Sequence, residues 1–267
     1  MILASPGDIA FKILNFPVYY YGIILAFAIL IGVFTAYKLF GKFYDKSRAE
    51  IIVDISPYLI LYGIIGARLY YCLVNFRYYF LHPLDILNLR EGGLSVHGMI
   101  IAGFLTIIFL SKKYKIESSK LFDVFFCGSV LAQSIGRWGN FFNSEAFGIP
   151  YDGFLKLYIP IESRPIEFIN VKYFHPAFLY ESILDFLIFV ILFLLFKKYS
   201  KTPGVISGLY LILYGAVRIL TEQIRIDSAL NILGIPVAQI FSVLMIICGI
   251  IWLCNIKKTP QNKEMLK

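Results

Sequence analysis

Charge is scarce in this chain: Asp, Glu, Lys and Arg together fill 16% of its 267 positions. Hydrophobic residues fill 59% and the mean hydropathy is +0.75, well above the roughly 45–50% apolar usage of soluble domains. No soluble fold of this length needs so much apolar surface, whereas a bilayer demands about 20 mostly apolar residues per spanning helix. Cysteine is also rare. Cys72, Cys127, Cys248 and Cys254 lie in or beside apolar runs without C-x-x-C spacing, which excludes a disulfide framework and leaves small hydrophobes packing helices. Three histidines with no H-E-x-x-H and no clustered ligands argue against a metal site. Met1 to Phe16 lacks a basic segment ahead of an apolar core, and no small-residue cleavage site follows. The first long apolar run is therefore expected to persist as a helix rather than leave as a signal peptide.

Seven apolar stretches are present: Val18–Phe40, Ile51–Val74, Leu94–Leu110, Leu121–Arg137, Pro176–Phe196, Gly204–Thr221 and Pro236–Asn255. They predict an all-α polytopic membrane protein of seven transmembrane helices, one integral-membrane domain over residues 1–267. The net charge of +8 does not signal nucleic acid, because the basic residues cluster in short segments between these runs. Lys38, Lys42, Lys46 and Arg48 lie in the first loop, Lys112, Lys113, Lys115 and Lys120 in the third. Lys197, Lys198 and Lys201 lie in the fifth, and Lys257, Lys258, Lys263 and Lys267 in the tail. Basic loops stay cytoplasmic, so the N-terminus is expected outside and the C-terminus in the cytoplasm. No internal repeat is visible, so an inverted-repeat transporter gains no support.

One connection is disproportionate. Loops beyond about 12–15 residues are usually functional or disordered, and the segment from Trp138 to His175 is far longer. Its aromatic and aliphatic content speaks against disorder. It is expected to form a small extracytoplasmic element (138–175) between the fourth and fifth helices. Phe154–Ile161 and Ile166–Phe174 have the composition of a hairpin around Glu162-Ser163-Arg164-Pro165.

The predicted topology assigns a depth to each unusual polar residue. Tyr19, Tyr20 and Tyr21 fall at the outer end of the first span, Arg68 and Asn75 in the outer half of the second, and His97 at the start of the third. Arg137 ends the fourth; His175, Tyr180 and Glu181 begin the fifth; Tyr214, Arg218 and Glu222 close the sixth. Six helices thus deliver polar groups to one level. An arginine at a helix centre costs about 2.5–3.5 kcal/mol on insertion scales, and such groups are functional candidates. The alternative is that each arginine snorkels to headgroups. Three on separate helices, each beside Gly, Asn or Glu, argue against it. Tyr214, Arg218, Glu222 and Arg225 recur at helical spacing and share one face. Glu222 is expected to satisfy one arginine and leave another for an anionic ligand, whose phosphate suits the planar guanidinium fork. Just past Arg137, Asn140, Asn143 and Glu145 add donors and acceptors. His97 reads equally well as a helix-packing hydrogen-bonder or as a base. The inner halves of the spans are mainly apolar, with Asp54, Asp123 and Asp185 as exceptions.

The run Gly136-Arg137-Trp138-Gly139-Asn140-Phe141-Phe142-Asn143-Ser144-Glu145-Ala146-Phe147-Gly148 fits G-R-x-G-N-F-x-N-x-E-x-x-G. In this the chain resembles the bacterial prolipoprotein diacylglyceryl transferases. Tyr21-Gly22, the segment around Arg68, Gly92 to Gly98, His175-Pro176 with Leu179-Tyr180-Glu181, and Tyr214 to Arg218 also look like family motifs in the expected order. Met99 departs from a usual second glycine, and Ala177-Phe178 from a small-polar residue and glutamine. The resemblance implies an enzyme of the bacterial inner membrane, with its site toward the outer leaflet and no cofactor. Its substrates would be phosphatidylglycerol, a membrane lipid, and prolipoprotein signal peptides with a lipobox cysteine. The diacylglyceryl group would pass to the cysteine thiol, releasing glycerol phosphate. Arg137 and Arg218 would bind the phosphate and offset its developing charge, with Arg68 in support and Asn140 as a neutral donor. The thiol, near pKa 8.5 when unperturbed, needs a base or positive surroundings, and His97 is the candidate base. Tyr21 and Tyr214 would orient headgroup or thiol, and Asn143, Glu145, Gly148 and Glu222 complete the expected substrate-binding set. The rival reading is an anion or phospholipid transporter using the same arginines, which predicts ionisable residues along a path to both faces.

Overall fold

The computed structural model describes residues 1–89, 92–226, 231, 232 and 235–256. The chain opens on strand β1 (Ile2–Ala4) and a hairpin of β2 (Ile9–Ile13) and β3 (Phe16–Tyr19). Leu14 and Asn15 close this hairpin with φ of 47° and 69°, the positive pair that matches a two-residue turn to strand twist. Helices α1 (Tyr20–Phe43) and α2 (Glu50–Val74) follow, then the short α3 (Phe76–Leu81) and a 3-10 turn at Pro83–Leu87. Next come α4 (Val96–Lys113) and α5 (Ser118–Phe142). Strands β4 (Lys156–Tyr158) and β5 (Tyr173–Phe174) lead to α6 (Ala177–Tyr199) and α7 (Val205–Glu222). A two-residue pairing of β6 (Asn231–Ile232) with β7 (Ile235–Pro236) precedes α8 (Val237–Ile256).

Among the described residues six helices are long and apolar enough to cross a membrane: α1, α2, α4, α6, α7 and α8. Helix α5, expected as the fourth span, has the length at 25 residues, but Lys120, Asp123, Gln133, Arg137 and Asn140 lie along it. Phe27, Leu30 and Phe34 on α1 and Ile247, Ile250 and Ile251 on α8 are exposed. Apolar faces of this size suit lipid rather than water.

The chain divides into two compact units, Met1–Ala36 with Phe125–Lys267, and Tyr37–Val124. In the first, α1 approaches α5 at backbone distance: a Cβ on Gly32 would lie 3.0 Å from the Gly128 carbonyl oxygen. Small residues allow such contacts where apolar burial gives helices no preference for each other over lipid. The 138–175 segment is folded. Ala146, Phe147, Leu157, Ile159 and Phe174 form its buried core together with Phe178 of α6, and β1, β4 and β5 form a three-stranded sheet in that order. Leu157 pairs with Phe174 and Tyr158 with Tyr173, antiparallel, while β1 adds in parallel. The expected hairpin is thus shorter than its composition implied. Pro160 and Pro165, with φ of −60° and −58°, start two 3-10 turns, and the second takes Ile166–Phe168 out of the strand.

In the second unit α2 crosses α4 where a Cβ on Gly66 would meet the Gly98 carbonyl oxygen at 2.7 Å. The inter-helix loops are tied by polar side chains. Arg48 donates to the Tyr114 carbonyl, and the Tyr44 hydroxyl donates to Asp123 Oδ2 at 2.8 Å.

Candidate active site

Three helices of the first unit build a charged cluster from apolar surroundings. The hydroxyls of Ser134 on α5 and Ser182 on α6 each donate to the other's carbonyl oxygen at 2.8 Å. Gln133 donates to Tyr210 of α7 at 3.1 Å, and Tyr210 stacks on Tyr214 with ring centroids 5.5 Å apart. These interhelical bonds fix the rotation of α5, α6 and α7, because an unsatisfied polar group inside a membrane is costly. Beside these bonds, Arg137, Glu181 and Arg218 consequently face each other.

Glu181 is the hub. It is 1% exposed, and its Oε2 lies 2.7 Å from Arg137 Nη1. Its Oε1 accepts from Arg218 Nη1 and, at 3.2 Å, from Arg225 Nη1. Arg218 also donates through Nη2 to Glu222 Oε2 at 2.7 Å, one turn along α7. Arg137 Nη2 donates to the Tyr214 hydroxyl at 3.4 Å, and its Nε lies 3.6 Å from Asp185 Oδ2 on α6. The structure therefore brings together Arg137, Arg218, Tyr214 and Glu222. It corrects the expectation that Glu222 leaves an arginine without a carboxylate, since Arg137, Arg218 and Arg225 all share Glu181. Helical spacing found the α7 stripe. It missed Glu181 as a three-way partner and Asp185 altogether as a site residue, although two carboxylates at i and i+4 opposite an arginine were a usable signal.

The segment after Arg137 stays helical to Phe142, so Asn140 belongs to the last turn of α5 rather than to a loop. Its carbonyl accepts the Glu145 N–H at 3.0 Å. Ser144 and Ala146 then take φ of 54°, a conformation uncommon outside glycine and concentrated where geometry is imposed by function. Asn143 Nδ2 donates to Glu145 Oε1 at 2.6 Å. Tyr21 packs on Gly139, where a Cβ would stand 2.7 Å from its ring. Tyr21, Asn143 and Glu145 line a cleft of about 690 Å³ with Asp8, Tyr19 and Glu162. Gly148 donates its N–H to the His175 carbonyl at 2.9 Å, and a Cβ there would meet the Ile224 carbonyl at 2.8 Å. That close approach ties the loop to the end of α7. His175 stacks on Tyr151 at 3.8 Å and shares a hydrogen bond with Tyr180; burial pushes its imidazole below the usual range.

The remaining two expected residues lie in the second unit. His97 is half-buried in the first turn of α4, its ring 5.9 Å from that of Tyr70 and Nδ1 3.5 Å from Ser95 Oγ. Arg68 is enclosed by its own loop. Its Nε donates to Ile86 O at 2.9 Å, Nη1 to Gly92 O and Gly93 O, and Nη2 to Asp85 O and Asn88 O. A guanidinium has five N–H donors, and here each has a backbone carbonyl. Arg68 organises the loop ahead of α4, with all its donors directed at that loop's carbonyls.

Apolar helices enclosing arginines bridged by a buried carboxylate define an integral membrane protein with a site suited to an anionic group. The family model described as prolipoprotein diacylglyceryl transferase matches residues 8–255, and the chain belongs to that family. A relative from Prochlorococcus marinus (strain MIT 9301) is 40% identical, covering 93% of this chain and 92% of its own. One from Prochlorococcus marinus subsp. pastoris is 39% identical, covering 98% and 96%. One from Synechococcus sp. (strain CC9902) is 40% identical, covering 96% of both. All three carry the name phosphatidylglycerol–prolipoprotein diacylglyceryl transferase.

Proposed function

We propose that this protein transfers the diacylglyceryl group of phosphatidylglycerol to the lipobox cysteine thiol of a prolipoprotein signal peptide. The observation that carries this reading is the pair Arg137 and Arg218 joined across the Glu181 carboxylate, which occupies the place a bridging phosphate would take. In the reaction the cysteine sulfur bonds to a glyceryl carbon and the carbon–oxygen bond to phosphate breaks. Glycerol phosphate departs with one more negative charge than the diester carried. Guanidinium donors aimed at those oxygens bind the transition state more tightly than the substrate. Tyr214 holds Arg137 from the α7 side, and Asn140, Asn143, Glu145 and Gly148 shape the approach from the cleft beside Tyr21. His97 is the proposed base for the thiol proton, and the arginine field lowers the cost of the resulting thiolate.

The membrane arrangement that fits is a single domain with seven spans, α5 being the fourth. The N-terminus and the 138–175 element lie outside, the C-terminus lies in the cytoplasm, and the site opens toward the outer leaflet of a bacterial inner membrane. Lysine clusters on alternate loops support this orientation. The test is direct. Purified protein incubated with phosphatidylglycerol vesicles and a lipobox peptide should add one diacylglyceryl mass to the peptide and release glycerol phosphate. An unmodified peptide would overturn the assignment. In the same assay His97→Gln should slow the reaction by about 100- to 10,000-fold, the range for general-base catalysis, and recover partly toward pH 8.5. A rate ratio constant from pH 6 to 9 would remove His97 as base.

A further inference from the structure

Asp185 is an anomaly that the proposed chemistry does not use. It lies one turn beyond Glu181 on α6, is 1% exposed, and neither of its oxygens has a hydrogen-bond partner among the described residues. A carboxylate in that condition costs several kcal/mol, and buried polar groups left unsatisfied call for an explanation. The nearest cationic nitrogen is equally unsatisfied: Arg137 Nε has no hydrogen bond and stands 3.6 Å from Asp185 Oδ2.

Arg137 is held differently from Arg218. Arg218 makes directed hydrogen bonds to two carboxylates. Arg137 meets Glu181 Oε2 at 2.7 Å, yet that oxygen accepts no hydrogen bond of acceptable direction, and the one bond it donates to Tyr214 is long at 3.4 Å. Its guanidinium is therefore placed more by charge than by hydrogen-bond geometry, and its Nε and the facing Asp185 oxygens make no hydrogen bond.

We infer that Asp185 is a positioning residue: it accepts from Arg137 Nε when an anionic phosphate displaces Glu181, so that both Nη groups of Arg137 face the phosphate. The contact lies just beyond hydrogen-bond range at 3.6 Å and closes as the guanidinium leaves Glu181. Asp185 acts through Arg137 and touches no substrate. This rests on the transferase reading of the site.

The experiment compares Asp185→Leu and Asp185→Asn with the parent protein, measuring peptide modification and thermal unfolding at equal amounts of inserted protein. Leucine removes the acceptor and replaces a buried carboxylate that makes no hydrogen bond by an apolar group of similar size, so the protein should still insert and unfold cooperatively, with any change in unfolding temperature recorded beside turnover. The turnover rate should nonetheless fall by about 10- to 100-fold, the effect of a misplaced catalytic group, with KM for phosphatidylglycerol changed far less. Asparagine keeps an acceptor oxygen and should retain turnover within about threefold. In an Arg137→Lys background, which has no Nε donor, Asp185→Leu should add no further loss. Unchanged turnover in Asp185→Leu, an equal loss in Asp185→Asn, or the same loss on top of Arg137→Lys would each overturn the inference. Should the leucine variant fail to insert, Asp185→Ala, which also lacks the acceptor, takes its place with the same expected loss. A parent protein that leaves the peptide unmodified would defeat the transferase reading instead, which keeps the two failures apart.

Discussion

Arg68 and Arg137 both lie within long helices, and the sequence offers both for an anionic ligand, Arg137 as a principal contact and Arg68 in support. Their partners separate them. Arg68 donates to five backbone carbonyls of one loop, whereas Arg137 meets side-chain carboxylates and a tyrosine hydroxyl. Backbone carbonyls cannot leave without unfolding the loop they belong to. A carboxylate on a rotatable side chain can yield its place to another anion. We therefore propose that saturation by carbonyls makes Arg68 structural, and that pairing with exchangeable carboxylates leaves Arg137 available to a ligand.

This contrast can be broken most forcefully at Glu181. Glu181→Ala leaves three arginines without their shared partner, and breaking a buried ion pair costs about 3–5 kcal/mol. Chemical or thermal unfolding in detergent should register that loss, together with loss of peptide modification. A variant as stable as the parent would show that the cluster is not held by its hub. Arg68→Lys comes next. A single ammonium cannot satisfy carbonyls spread over Asp85 to Gly93, and unsatisfied buried acceptors cost about 1–3 kcal/mol each, so unfolding should shift by at least that amount while turnover of the inserted protein stays within about threefold of the parent. A loss of turnover with unchanged stability would return Arg68 to the substrate.

Much of the architecture is legible in the sequence, for a physical reason. Helices that face lipid must be continuously apolar, so six of the seven runs correspond to α1, α2, α4, α6, α7 and α8, which are long and apolar enough to cross a membrane, while the fourth falls within α5, whose polar residues set it apart. The ends shifted where a local signal was ambiguous: the fourth run was expected to end at Arg137, yet α5 continues to Phe142, with Gly139 packed against Tyr21. The α7 stripe of Tyr214, Arg218 and Glu222 was readable because helical periodicity brings those residues together. Partners from elsewhere in the chain were not readable. The parallel pairing of Ile2–Ala4 with Lys156–Tyr158 leaves no local pattern, and the carbonyls that take up Arg68 carry no residue identity. Asp185 was visible only as a charge in the wrong place, and its meaning required the 3.6 Å approach to Arg137 Nε.

The central claim is that the arginines bridged by Glu181 are the anion site of a diacylglyceryl transfer, and one paired measurement tests it most directly. Initial rates of peptide modification would be determined for Arg137→Lys and Arg68→Lys at equal amounts of inserted protein, under saturating phosphatidylglycerol. Lysine retains the charge at position 137 but loses the planar fork, so that rate should fall by about 100- to 1,000-fold, as when a donor to a developing oxyanion is removed. The rate of Arg68→Lys should remain within about threefold of the parent. Near-parental turnover in Arg137→Lys, or a loss in Arg68→Lys as large as that in Arg137→Lys, would contradict the account.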